Sequence, residues 1–255
     1  MTVPITHRPS PFTTPYVLLH GWGVNAAVWT DLKRRLAAPC FAPDLFADFS
    51  WPTDAGGAEA LARAILERAP ARATWIGWSL GGMLAMLAAR FAPEQIEKLV
   101  LVATTPRFVA GPNWEHGISE KTFADFSVGL ADDLVATLKR FLLLNAGPDD
   151  NARALAAITL RGVQERGLPQ RAALASGLNL LREFDLRSQL ANLRVPVTVV
   201  HGTHDRITPS GAAMMLADTI PEARLHLIEK AGHAPFLSHP EFLVALLKNP
   251  HARAA

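Results

Sequence analysis

Cysteine is all but missing from these 255 residues: Cys40 stands alone. No intrachain disulfide can form, and the usage fits a reducing compartment, so a cytoplasmic protein is expected. No cluster of Cys, His and carboxylates stands at metal-ligand spacing, which leaves no sequence reason to expect a metal or any cofactor. A charge excess of one sign is missing too, because 25 Lys and Arg face 23 Asp and Glu. That balance argues against a dedicated nucleic-acid binder, which would carry a basic stripe. No apolar run reaches the length that crosses a bilayer, so no membrane segment is expected. Residues 1–12 hold His7, Arg8 and several prolines where a signal peptide would be apolar. What the chain does have is core material: 49% of its residues are apolar, at a length suited to one large domain. A monomer is expected.

Short apolar runs alternate with amphipathic stretches. Residues 16–19, 73–76, 99–102, 197–201 and 225–228 read as buried strands, and 26–36 and 80–90 as helices. Such alternation implies an α/β fold: a mostly parallel central sheet with helices on both faces. From residue 108 to 185 the pattern changes to helical periodicity with no convincing strand. Leu134, Leu138, Phe141 and Leu142 follow one helix face, and Asn145, Gly147 and Pro148 supply a stop. The expected organisation is therefore a sheet domain formed by residues 1–107 and 186–255, interrupted by a helical cap at 108–185.

The sharpest signal is Gly77-Trp78-Ser79-Leu80-Gly81, with a strand pattern before it and a helix pattern after it. A serine there sits on a tight turn that lifts its hydroxyl above the sheet, and glycines on either side let strand and helix approach. The same motif arises by chance in glycine-bearing turns; the setting is what makes Ser79 a candidate nucleophile. A serine needs a base to take its proton. Of the nine histidines, His233 lies between the last strand pattern and the final helix. His239, beside Pro240, reads as a helix-start residue, and His201 and His204 lie near the candidate acid. That acid is Asp205, which follows strand 197–201 and could fix the imidazole tautomer; a turn or helix-capping aspartate is the plainer reading. The chain order Ser79, Asp205, His233 is that of the α/β hydrolases rather than of the two common protease lineages. Two backbone donors should face the developing oxyanion. The amide of Leu80 is one candidate, and that of Trp22, in the turn after the first strand, is the other.

Taken together, Val17-Leu18-Leu19-His20-Gly21-Trp22-Gly23, Trp75-Ile76-Gly77-Trp78-Ser79-Leu80-Gly81-Gly82 and Ala231-Gly232-His233-Ala234-Pro235-Phe236 resemble the pimeloyl-acyl-carrier-protein methyl ester esterases of biotin synthesis. The resemblance runs over nearly the whole chain. It implies a serine carboxylesterase working through an acyl-enzyme, with Ser79, Asp205 and His233 as its triad. It also implies Trp22 and Leu80 as oxyanion and substrate contacts, and Phe141 beside Leu142 as lid residues lining an acyl channel. Arg140 and Arg153 match basic lid positions that meet the acidic acyl carrier protein, with Arg161 beyond them. Read alone, Phe141 is equally a core-packing residue, and each arginine a solvated helix face. The chain departs from the family at Asp44-Leu45-Phe46-Ala47-Asp48-Phe49, where relatives carry a glycine-rich loop, and at Ala136, where a basic residue is expected.

Hydrolases with an aspartate nucleophile do not fit, because the turn carries Ser79; those that also use lid tyrosines fit less, since the single tyrosine, Tyr16, falls in a strand. A broad carboxylesterase, a carbon–carbon bond hydrolase and a non-catalytic ligand receptor stay open. The nucleophile assignment is checked by replacing Ser79 with Ala. The variant should lose about three decades or more of kcat and keep a residue of catalysis from binding and oxyanion contacts. Wild-type turnover in a folded Ser79→Ala protein would place the nucleophile elsewhere.

Overall fold

The strands that read as unbroken apolar runs are those buried on both faces. Every residue of β1 (Tyr16–Leu19) and of β5 (Val197–Gly202) is buried, as expected for the middle of a parallel sheet. The computed structural model describes residues 14–51, 57–145, 157, 162, 165, 167 and 169–248, with residues 142–145 described for the backbone only. Besides β1 and β5, the sheet contains β2 (Cys40–Phe41), β3 (Ala73–Trp78), β4 (Ile96–Val102) and β6 (Arg224–Ile228). Their order is β2-β1-β3-β4-β5-β6, with all pairs parallel. The chain runs outward from β1 to β2 and then returns to β3 on the other side of β1. This places a switch point between β1 and β3, the position where open parallel sheets bind ligands beyond their carboxyl ends.

Period-two alternation divides the core between the faces. Val17, Trp75, Leu99, Leu101 and Val199 pack on one side with α2 (Gly57–Arg68) and α3 (Leu80–Phe91). Leu18, Ile76, Val100, Val102 and Val200 pack on the other, where Leu32 of α1 (Thr30–Leu36) and Leu243 near the C-terminus meet them. Residues 26–29, expected as the first turn of α1, are a separate 3-10 turn. The Asn25 side chain accepts from the Ala27 amide, and Val28 bonds back only three residues to Asn25. Neither β2 nor α2 was expected from periodicity; β2 has two residues, too few to show any.

Between β4 and β5 the described residues include the α-helices α4 (Glu120–Asp132), α5 (Leu134–Asn145) and α6 (Arg171–Glu183), and a 3-10 turn at Arg187–Asn192 leads on to β5. Ser119 caps α4 by accepting from the Thr122 amide, and Asp133 caps α5 at the Ala136 amide. The chain departs and returns at one place. Arg107 and Asp185 form an isolated antiparallel bridge, and the Leu186 amide donates to the Pro106 carbonyl at 2.9 Å. After β5 come α7 (Ser210–Thr219), a short helical turn α8 (Pro235–Ser238) and α9 (Pro240–Lys248). Among the described residues no helix is long and apolar enough to cross a membrane.

Helix α3 and β1 approach each other backbone to backbone. A Cβ on Gly81 would lie 2.2 Å from the Leu19 carbonyl oxygen, and one on Gly77 would lie 2.5 Å from that of Gly81. Both obstacles are backbone, so no rotamer change relieves them. Gly81→Ala should therefore cost about 3 kcal/mol, the upper range for overpacking, despite alanine's better helix propensity. Urea unfolding of Gly81→Ala checks this; a stability equal to wild type would show that α3 can retreat from β1.

Candidate active site

Four segments at the carboxyl ends of β1, β3, β5 and β6 converge above the switch point. Ser79 follows β3 directly and takes φ 54° and ψ −120°, a left-handed conformation that costs a non-glycine residue on the order of 1–3 kcal/mol. Its surroundings hold it there. The Ser79 amide donates to Val102 at 3.0 Å, while its carbonyl accepts from Gly82 at 2.9 Å and from the Thr104 hydroxyl at 2.6 Å. The Ser79 side chain is nearly enclosed, and it sits at the N-terminus of α3, where the helix dipole favours negative charge.

Asp205 lies just past β5 and His233 past β6, and both are buried. The His233 Nδ1–H donates to Asp205 Oδ2 at 2.7 Å. That fixes the tautomer: Nε2 is left with its lone pair, buried and without a hydrogen-bond partner among the described residues. His233 is tied to the serine turn through the neighbouring Trp78, whose Nε1–H donates to the His233 carbonyl at 2.7 Å and whose ring centroid is 5.7 Å from the imidazole. Ser79 itself is not in hydrogen-bond contact with His233 Nε2, an arrangement common before a substrate tightens the site.

The Asp205 carboxylate is saturated with donors. Oδ1 accepts from the amides of Ile207 at 2.8 Å and Thr208 at 2.9 Å, and Oδ2 from the Thr208 hydroxyl at 2.7 Å as well as from His233. Oδ2 also lies 3.2 Å from Nε2 of His201, which donates to the Thr208 carbonyl at 2.7 Å. Burial alone would raise this carboxyl's pKa. The charge of His233 and the bonds from both histidines outweigh burial and hold Asp205 well below the usual carboxylate range. His201 and Thr208 are the site residues that sequence reasoning did not pick out. His201 could have been found as the inward-facing end of an apolar strand one turn before an aspartate; Thr208 carried no signal of its own. His204 is exposed and makes no contact with the pair.

Trp22 closes the site from the β1 side. A Cβ on Gly21 would meet Ser79 Cβ at 3.2 Å, so the residue before Trp22 lies against the serine. The Trp22 indole donates to the Leu174 carbonyl of α6 at 2.9 Å and meets Phe141 of α5 edge-on, with centroids 5.1 Å apart. Together with Phe108, Phe123, Phe126, Leu178, Leu181 and Ile207, these rings wall a narrow apolar pocket, into whose rim Arg206 also reaches. Leu80 is fully buried as the first residue of α3. Arg140 is exposed, with its guanidinium 5.9 Å from the Phe126 ring. Arg153, Arg161 and the Leu142 side chain lie outside the described residues. The loop at residues 44–49 is well tied in: the His20 Nε2 accepts from the Leu45 amide at 2.9 Å, and Phe46 stacks on Trp51 with ring centroids 4.6 Å apart.

The chain is similar to known proteins in sequence and in fold. Residues 16–246 match the alpha/beta hydrolase family. The pimeloyl-[acyl-carrier protein] methyl ester esterase of Photobacterium profundum is 38% identical, covering 91% of this chain and 92% of its own. The esterase of the same name from Nitrosomonas europaea is 40% identical, covering 90% and 92%. Among solved structures, a bromoperoxidase from Bacillus anthracis superimposes with a TM-score of 0.80 at 19% identity, covering 92% of this chain and 90% of its own; at that identity the likeness speaks for the fold alone. The chain is a member of the alpha/beta hydrolase family, within its group of pimeloyl-[acyl-carrier protein] methyl ester esterases.

Proposed function

We propose that this protein hydrolyses the methyl ester of a dicarboxylyl chain carried on acyl carrier protein, with Ser79 as nucleophile, His233 as base and Asp205 as the acid that orients it. The observation that carries the chemistry is the tautomer. Asp205 accepts a hydrogen bond from the Nδ1–H, which keeps that proton on the ring and leaves the lone pair of Nε2 to accept one. The reaction then runs in two steps. The Ser79 hydroxyl oxygen attacks the ester carbonyl while its proton passes to His233 Nε2. The Leu80 and Trp22 amides stabilise the oxyanion, and the imidazolium returns the proton to the departing methoxide, which leaves as methanol. Water, deprotonated by the same Nε2, then cleaves the acyl-enzyme to the free carboxylate and Ser79. The relatives' names supply the substrate, and the apolar pocket behind Trp22 and Phe141 suits an extended acyl chain.

Residues 108–185 serve in this reading as a cap over the acyl pocket, with Arg140, Arg153 and Arg161 as the contacts for the acidic carrier protein. The protein acts as a monomer, in the cytoplasm, without a cofactor.

Two measurements follow. Because Asp205 is held below the ordinary range, it stays ionised at every pH where the enzyme works. Its contribution to stability is present above the unfolded carboxyl value, about 3.9, and fades only as the pH falls below that. The acid limb of kcat/KM should therefore have a slope of one, reporting the histidine alone, and Asp205→Asn should lower kcat by up to about four decades with the fold intact. A slope of two, or a mild effect of Asp205→Asn, would break the assignment. For the substrate, charge reversal at Arg140 and Arg153 together should raise KM for the carrier-bound ester several-fold and spare p-nitrophenyl butyrate. That difference should shrink in high salt, because steering is screened beyond about 8 Å at physiological ionic strength. Equal losses on both substrates would favour a general carboxylesterase.

A further inference from the structure

The pocket behind Trp22 is apolar on nearly every side, yet one charged side chain among the described residues stands on its wall: Arg206. Neighbouring arginines are already engaged. Arg182 pairs with Glu120 at 2.7 Å, and Arg107 and Arg187 share Asp185 at 3.3 and 2.7 Å. Arg206 has no hydrogen bond or ion pair to any described residue. Nor can the adjacent Asp205 serve it, since both carboxylate oxygens are buried and taken by the Ile207 and Thr208 amides, the Thr208 hydroxyl and two imidazoles. Those same bonds pin the turn on which Arg206 stands, so its guanidinium projects from a fixed base beside Ile207. Arg206 is exposed where it reaches the pocket's rim, so water partly screens its charge, and what it offers an oxyanion there is chiefly the planar fork that matches a carboxylate.

We propose that Arg206 is a specificity-determining residue that binds a carboxylate at the end of the acyl chain remote from the scissile ester, giving the protein a further activity on free half-esters of dicarboxylic acids. The inference rests on the reading of the site as an ester hydrolase, and not on the carrier protein. Position selects the source of the anion. Arg206 directly follows Asp205, whose carboxylate touches His233, so an oxyanion within its reach is a short acyl chain away from Ser79. A terminal carboxylate meets that requirement; a phosphate at the far end of a long carrier arm does not. The chemistry is unchanged: the ester C–O bond breaks, water supplies the new C–O bond and the proton for methanol, and a dicarboxylate is released.

The test compares monomethyl pimelate, which carries the distal carboxylate, with the neutral dimethyl ester of the same length and with a carrier-bound methyl ester. Wild type, Arg206→Gln and Arg206→Lys are followed by methanol release. In wild type, KM per ester group should be lower for the half-ester than for the diester. Arg206→Gln should abolish that preference by raising KM for the half-ester roughly tenfold, the size of one charge-assisted bond, with little change in kcat. Arg206→Lys should keep part of the preference. The inference is overturned if the ratio of half-ester to diester KM is the same in wild type and Arg206→Gln. It is also overturned if only the carrier-bound ester suffers, which would assign Arg206 to an arm phosphate, or if the diester suffers equally, which would make Arg206 structural. Wild-type hydrolysis of the neutral diester separates the two levels of the argument: without it the esterase reading falls, and with it only the role of Arg206 is at stake.

Discussion

The contact on which the site depends is between two backbones. Helix α3 lies so close to β1 that position 81 has no room for a side chain, the Leu19 carbonyl oxygen being only 2.2 Å from where a Cβ would stand. To bring the helix in that tightly, the chain must reverse at once after β3, and Ser79 is the residue that absorbs the reversal in a left-handed conformation. The cost of that backbone is met by contacts that would be lost together if it relaxed: the amide on Val102, the carbonyl on Gly82 and the Thr104 hydroxyl. Strain of this kind persists only where the surroundings over-determine it. The ten buried residues that open α3, from Leu80 to Ala89, supply the apolar anchor for that arrangement.

A second joint connects the sheet to the helices between β4 and β5. Trp22 ends the β1 turn, yet its indole N–H donates to α6 and its ring meets Phe141 of α5 in a T-shaped pair. Gly177 of α6 lets the helix come down onto Trp22 and Phe46, 3.0 Å from where its Cβ would be. The loop at residues 44–49 has a structural account. Phe46 packs under α6 and is held by the stacked Trp51 and by the link from Leu45 to His20.

The strands could be read from the sequence because burial on both faces leaves little but apolar residues in β1 and β5. The serine turn could be read because its glycines answer to a local steric demand, visible within five residues. That Asp205 and His233 meet was readable from their common placement after late strands, since the ends of neighbouring parallel strands lie side by side. Contacts that depend on distant parts of the chain were not legible. His201 looked like any histidine near the acid until β5 turned it inward onto Oδ2. β2 is too short to carry a period, and that Arg206 has no partner among the described residues is a property of its neighbours, not of any pattern around it.

The bridge between Arg107 and Asp185, reinforced by the bond from Leu186 to Pro106, has an evolutionary consequence. It closes everything between β4 and β5 into a loop whose two ends are already held together by the sheet. The entropy of such a closed loop grows only with the logarithm of its length, about 0.6 kcal/mol per doubling. Helices can be added, lost or exchanged within it at little expense to the strands below. The segment that walls the apolar pocket can thus change in length or helix content without disturbing the backbone contacts at Gly81 and Ser79 beneath it.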